Sequence, residues 1–247
     1  MRNIKLTIEY NGTNFCGFQI QPKGKRTVQG EIQNTLKIIF KKNIKIIGSG
    51  RTDSGVHATA QVANFKISSS MPTKEIISAI NANIDNDITV LEAADVSLDF
   101  HSQYNIKSKT YRYTILNRAT RCSLEKDFCL LHNRKLNVKH MKDAAKLLIG
   151  QRDFKSFQSS DKTRKPGSTI RTIKNIKIKK SGDFIYIDIE ANGFLYKMVR
   201  NIVGTLLGVG SGRLEKGSIR KILKAKNRNT ASPTAPAKGL CLIKAEY

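Results

Sequence analysis

The run GRTDSGVHA at residues 50–58 sets one carboxylate, Asp53, and one guanidinium, Arg51, in a loop rich in glycine. Gly48, Gly50 and Gly55 permit backbone geometries and close approaches that a side chain would block, so the segment can present both charges to something large. A carboxylate held at such a tip can serve as a nucleophile or a base; a tight turn in which Asp53 only caps the next segment uses the same residue types. Further along, KTYRYTI at residues 109–115 alternates, which places Tyr111, Tyr113 and Ile115 on one face with Lys109 beside them. Aromatic rings interleaved with basic groups form a platform for stacked bases, although Tyr113 reads as a core residue. Within the apolar run 194–209, Arg200 falls among Tyr196, Val203 and Leu207 on one helical face. A guanidinium in that company requires an acidic partner, and Asp53 is the carboxylate we assign to it; snorkelling to the surface is the other reading. His57 and His101 could take a proton, but a histidine beside a structured loop more often supports it by hydrogen bonds.

Charge narrows the partner. The 247 residues hold 44 Lys and Arg against 19 Asp and Glu, a formal net charge of +25. Residues 1–105 carry 12 basic and 9 acidic side chains and residues 106–247 carry 32 and 10, so the surplus divides as +3 and +22. A surplus gathered into one half points to a polyanion, and nucleic acid is the commonest one. A metal-dependent nuclease is disfavoured, because no cluster of acids surrounds Asp53 in residues 1–60 to hold a divalent ion. Four scattered cysteines without a C-x-x-C pair make a poor zinc set and read as free thiols. No stretch supplies the roughly 20 apolar residues of a bilayer span, and the opening alternation lacks a signal peptide's apolar block, so the chain reads as cytosolic.

The elements that must carry these residues follow from periodicity. Residues 4–10 alternate like a strand; Thr27 caps a helix with Val28, Ile32, Leu36, Ile39 and Phe40 on one side. Strands are expected at 44–47 and 61–67 on either side of the Asp53 loop, a helix opening at 72–75, and a strand at 88–96. After residue 105 the pattern predicts a strand at 109–116, a helix at 137–150, a hairpin turning at 181–183 and a long apolar helix at 194–209. The polar stretch 156–168, SFQSSDKTRKPGS, reads as a mobile loop, either a basic RNA clamp through Lys162, Arg164 and Lys165 or a plain surface loop. Two α+β domains, 1–105 and 106–247, account for the whole chain.

Six stretches, GFQIQP at 17–22, TVQG at 27–30, GRTDSGVHA at 50–58, KTYRY at 109–113, MVRNI at 198–202 and TAPAKGL at 234–240, resemble in order the motifs of the tRNA pseudouridine synthase A family. The resemblance implies isomerisation of uridine to pseudouridine in the anticodon stem-loop of tRNA, around positions 38–40. It also implies two ferredoxin-like α/β sandwich domains joined through a mixed, mainly antiparallel sheet with the active-site cleft between them, a homodimer, and neither cofactor nor metal. Carried over by motif, Asp53 matches the catalytic aspartate, Tyr111 the active-site tyrosine, Arg200 the basic residue that pairs with the aspartate, and Arg51 an arginine that helps extrude the base. Because a glycosidic bond inside a stacked stem is out of reach, the nucleotide must be flipped out. Attack on the sugar C1′, attack on the base C6 and elimination to a glycal all remain open. The chain departs from the family pattern at Gln103, where an arginine is usual, and at Ala237, where a second proline is usual. A non-catalytic RNA-binding protein on the same scaffold is the rival reading; a carboxylate among phosphates argues against it.

Overall fold

The period-two pattern of the first residues becomes β1 (Arg2–Tyr10), whose Ile4, Leu6 and Ile8 are fully buried in the computed structural model, which describes residues 1–22, 24–160 and 167–247. It is followed by α1 (Val28–Phe40), β2 (Ile47–Gly48), β3 (His57–Ile67), α2 (Thr73–Asn83) and β4 (Ile88–Val96). Then come β5 (Ser108–Leu116), β6 (Leu130–Leu131), α3 (Val138–Lys146), β7 (Gly150–Asp153) and β8 (Ile170–Ser181). The last elements are β9 (Phe184–Ala191), α4 (Met198–Gly210), α5 (Ser218–Ala225) and β10 (Leu240–Glu246). Contacts divide the chain into two units, Met1–Lys107 with Cys241–Tyr247, and Ser108–Leu240. Each is built of helices and sheet, an α+β arrangement. Residues 241–247 return to the first unit instead of closing the second, which the grouping 106–247 does not foresee.

In the first unit the strands lie in the order β4, β1, β3, β10, antiparallel except that β10 runs parallel to β3 with Cys241 opposite His57. Thr27 caps α1 as its sequence predicts, its hydroxyl accepting from the Gly30 N–H at 3.3 Å. Val28, Ile32 and Leu36 on α1, Ile76 and Ile80 on α2, and the inward residues of β1 are all completely buried. The strand expected at 44–47 is reduced to β2. Its backbone is satisfied from α1 instead: the Gln33 carboxamide accepts from Ile46 N–H at 3.1 Å and the Gln29 carboxamide donates to Ile46 O at 3.0 Å. Ile44 and Ile46 are buried without needing a neighbouring strand.

The second unit orders its strands β5, β9, β8, β7, all antiparallel, with β6 alongside β5. Gly182, at φ +56°, turns the β8–β9 hairpin where the sequence places it. Tyr113 and Ile115 of β5 and Ile185, Ile187 and Ile189 of β9 bury the same face of the sheet, together with Met141, Ala144, Ile202 and Leu206 from α3 and α4. α4 starts later than its apolar run suggests. Lys197 adopts a left-handed conformation, φ +57°, immediately before it, so Phe194 and Tyr196 lie outside the helix and Tyr196 is not on the helical face of Arg200. The stretch 156–168 is likewise not a solvated loop at its start. Phe157 is fully buried, and the Ser156 hydroxyl donates to Ile222 O at 2.5 Å. Lys162, Arg164 and Lys165, the expected clamp, lie outside the described residues.

Candidate active site

Asp53 sits half-buried in the connection between β2 and β3, and that connection is clamped from both sides. Residues 12–18 supply one jaw: Phe18 N–H donates to Thr52 O at 3.2 Å, Gly55 N–H to Phe15 O at 3.3 Å, and the Ser54 hydroxyl to the same Phe15 carbonyl at 3.1 Å. This contact is backbone on backbone. A Cβ on Gly12 would lie 2.0 Å from Val56 O, and one on Gly17, already at φ +94°, would lie 2.6 Å from Thr52 O. The other jaw is β3, where the fully buried Gln61 accepts from the Ser49 hydroxyl at 2.6 Å and donates to Gly50 O at 3.1 Å. Thr52, next to Asp53, shares a 2.8 Å hydrogen bond with the buried Tyr10 hydroxyl, and burial pushes that phenol well above its ordinary range. Of the expected loop glycines, Gly55 turns the chain at φ +76° with Val56 N–H closing back onto Asp53 O at 3.2 Å, while Gly48 makes room for the Phe18 ring. The result is a short, rigid connection with Asp53 at its centre and the Arg51 side chain exposed beside it.

His57 belongs to this scaffold. Its Nδ1 accepts from Gly12 N–H at 3.0 Å, which fixes a lone pair on that nitrogen and ties the buried ring to the first jaw. His101 behaves alike: its Nδ1 accepts from the N–H groups of Gln103 and Tyr104 at 3.2 and 3.3 Å.

Tyr111 and Arg200 belong to the second unit. Tyr111 lies opposite Ile189, 8% exposed, with its ring edge-on to Phe194 at 5.2 Å and 88°. Two residues on, the Tyr113 hydroxyl donates to Pro236 O at 2.9 Å, and Arg200 Nε donates to the adjoining Ala235 O at 2.8 Å. Ala235 N–H in turn donates to Arg200 O at 3.1 Å. One extended strap, residues 232–236, therefore joins the strand of Tyr111 to the first turn of α4. It can run that close because α4 carries Gly204, where a Cβ would meet Pro233 O at 2.0 Å. A second hold comes from Asn201, which donates to Phe157 O at 2.7 Å and accepts from Thr234 Oγ1 at 2.6 Å and from Arg228 at 3.0 Å. Burial raises the Tyr113 phenol above its usual range, and the positive charge of Arg200 opposes that shift. Burial also pushes the Lys109 ammonium, two residues before Tyr111, down to about 8.

The sequence picks out the residues that carry charge or rings but not the ones that hold them. Thr52, Gln61, Gly12 and the carbonyls of Ala235 and Pro236 carry no catalytic signal in their types, and Tyr10 reads only as a strand residue; the signal for the strap is that its residues 234–236 open the TAPAKGL motif. Among the described residues, no group of three or more His, Cys, Asp or Glu is placed to hold a metal ion, and no helix is long and apolar enough to cross a membrane.

Known proteins match this sequence along its whole length. The sequence pattern described as tRNA pseudouridine synthase matches residues 6–105 and 144–247. The tRNA pseudouridine synthase A of Thermoanaerobacter sp. (strain X514) is 45% identical over 247 residues, covering 100% of both chains. The tRNA pseudouridine synthase A 2 of Clostridium perfringens is 44% identical and the tRNA pseudouridine synthase A of Clostridium acetobutylicum 42% identical, each again over 100% of both chains. With two α+β units, a clamped aspartate loop and full-length identity at this level, the chain belongs to the tRNA pseudouridine synthase A family.

Proposed function

We propose that this chain isomerises uridine to pseudouridine in the anticodon stem-loop of tRNA, around positions 38–40, with the Asp53 carboxylate as nucleophile. The observation that carries the reading is the clamp on the Asp53 loop, in which Gly12, Gly17, Thr52 and Gln61 fix the backbone on both sides of one half-buried carboxylate. In the reaction an Asp53 oxygen bonds to the nucleotide, at C1′ or C6, the N1–C1′ bond breaks and the uracil turns; a C5–C1′ bond forms, the bond to Asp53 breaks to return the carboxylate, C5 loses its proton and N1 gains one. Atoms and electrons balance without a cofactor. In this reading Arg51, exposed beside Asp53, helps to extrude the target nucleotide from the stem, the Tyr111 ring stacks on the flipped uracil, and Arg200 pairs with Asp53 and keeps it ionised. The +22 surplus of residues 106–247 supports tRNA as the polyanion that is bound. The family resemblance extends the proposal to a homodimer working in the cytoplasm.

The test is to incubate the purified protein with a uridine-containing anticodon-arm transcript and map pseudouridine by mass spectrometry. Wild type should form pseudouridine in the 38–40 region. Asp53→Asn should form none while keeping its affinity for the transcript within about tenfold, since one carboxylate contributes little to binding dominated by phosphates. Turnover by Asp53→Asn would remove the nucleophile, and binding without turnover by the wild type would leave a non-catalytic RNA-binding protein.

A further inference from the structure

Between β4 and β5 the first unit carries a turn, residues 101–105, outside the Asp53 loop. Tyr104 is 77% exposed, unusual for so large a ring, and its one covered face lies on His101 with centroids 4.1 Å apart and planes 24° apart. This stack is held from beneath. His101 N–H donates to Asn105 Oδ1 at 2.6 Å, His101 Nδ1 accepts from two successive amides, and His101 O accepts from the Tyr104 and Asn105 N–H groups at 3.1 and 3.0 Å. Asn105 also lines an open hollow of about 440 Å³, together with Asp99, Phe100, Lys107 and Tyr247. The same turn reaches the base of the Asp53 loop. The Ser102 hydroxyl donates to Ile47 O, and the Tyr247 hydroxyl donates to Ser102 O at 2.8 Å.

A ring stacked at 24° on a second ring and left 77% exposed has the form of a nucleobase platform; such a face gains by stacking any base, whatever its sequence. We propose that the His101–Tyr104 stack and the hollow beside it bind one unpaired nucleotide of the RNA substrate, with its base on the open face of Tyr104 and its phosphate toward Lys107. The carboxylate of Asp99 excludes phosphate from its own side of the hollow and can accept from a base amino or imino group. Gln103, which stands where the family usually has an arginine, is exposed on this turn and carries no charge to a phosphate. The platform then supplies by stacking what the turn does not supply by charge. The proposal rests on RNA being the substrate, and it adds a second contact to the first unit, whose net charge is otherwise small.

Tyr104→Ala, Tyr104→Phe and wild type, each checked for an unchanged melting temperature, are titrated with an anticodon-arm transcript carrying 2-aminopurine in its loop, and single-turnover rates are taken at saturating RNA. Tyr104→Ala should raise the dissociation constant by roughly 5- to 100-fold, the range of one lost base stack. Its rate at saturation should stay within about twofold, and the salt dependence of binding should keep its slope because no phosphate contact is removed. Tyr104→Phe, which keeps the ring, should bind like wild type, and the quenching of 2-aminopurine seen with wild type should vanish only in Tyr104→Ala. Equal affinity and equal quenching in Tyr104→Ala would overturn the platform, as would a Tyr104→Phe defect as large as that of Tyr104→Ala. Failure of the enzymatic reading looks different: wild type would form no pseudouridine although Tyr104→Ala still weakened binding.

Discussion

Gly204→Ala tests whether the strap at 232–236 positions Arg200. The new Cβ would stand 2.0 Å from Pro233 O, and ordinary contact begins at 3.4 Å, so the carbonyl has to retreat by about 1.4 Å. Backbone on both sides leaves no flexible side chain to absorb the change. Overpacking of this kind costs about 1–3 kcal/mol. Retreat of the strap also stretches three hydrogen bonds, Arg200 Nε to Ala235 O, Ala235 N–H to Arg200 O and Tyr113 hydroxyl to Pro236 O, worth about 1 kcal/mol each if lost. Alanine returns roughly 1 kcal/mol of helix propensity. With the three bonds lost the balance is a destabilisation of about 3–5 kcal/mol, and at roughly 2–4 °C per kcal/mol in a chain of this size the melting temperature falls by roughly 6–20 °C. Displacement of a positioning group by about 1 Å commonly costs on the order of 10²-fold in rate, so the single-turnover rate should fall about 10- to 100-fold with RNA affinity nearly unchanged. Tritium release from uridine labelled at C5 measures the rate and calorimetry the stability. Gly208→Ala is the comparison: its Cβ meets side-chain atoms only, the Ser232 hydroxyl at the start of the strap at 2.9 Å and Leu214 carbons at 3.1 and 3.3 Å, so it should cost less stability than Gly204→Ala and leave the rate near wild type. A wild-type rate in Gly204→Ala despite a lowered melting temperature would show that the strap does not position Arg200 for the reaction.

Two further outcomes follow from the second unit. Tyr111→Leu should be inactive, whereas Tyr111→Phe keeps the ring against Phe194 and should bind tRNA normally yet turn over 10²- to 10⁴-fold more slowly if the hydroxyl moves a proton; near-native single-turnover rates would reduce Tyr111 to a stacking residue. Burial lowers Lys109 from its usual value of 10.5 to about 8, so between those values the unfolded chain binds more protons and stability must rise with pH. The Lys109→Met variant, compared with wild type by denaturant unfolding at pH 7.5 and pH 10, should lack a gain of up to about 3 kcal/mol, and parallel pH profiles for the two proteins would refute the shift.

The fold was legible wherever the signal is local. The alternation of β1, the Thr27 cap, β4 and the Gly182 hairpin each depend on a few neighbouring residues, and the structure realises them where the sequence places them. What was not legible depends on distant partners. Residues 44–47 have a strand's composition, yet Gln29 and Gln33 take the Ile46 amide and carbonyl, and no local pattern reveals that choice. Hydrophobicity extends α4 back to Phe194, but the left-handed Lys197 starts it at Met198. Phe157 lies in a polar stretch and is nonetheless core, because Asn201 and α5 come to it from dozens of residues away.

The site divides along the same line. Asp53, Arg51, Tyr111 and Arg200 announce themselves by type, since charge and aromaticity are visible in a string of letters. Their precision is set by atoms that every residue possesses. The Thr52 carbonyl, the Phe15 carbonyl, the adjoining carbonyls of Ala235 and Pro236, and the missing Cβ atoms of Gly12, Gly17 and Gly204 hold the loop and the strap. A backbone carbonyl cannot be deleted by substitution, so its contribution is reached only through the glycine that lets a partner approach it. Substituting the candidate side chains tests what each of them does, and adding a methyl at Gly12, Gly17 or Gly204 tests how closely they must be held. Because these glycines touch backbone and not flexible side chains, such variants should lose rate out of proportion to their loss of RNA affinity. That separation distinguishes a preorganised catalytic loop from a surface that merely binds.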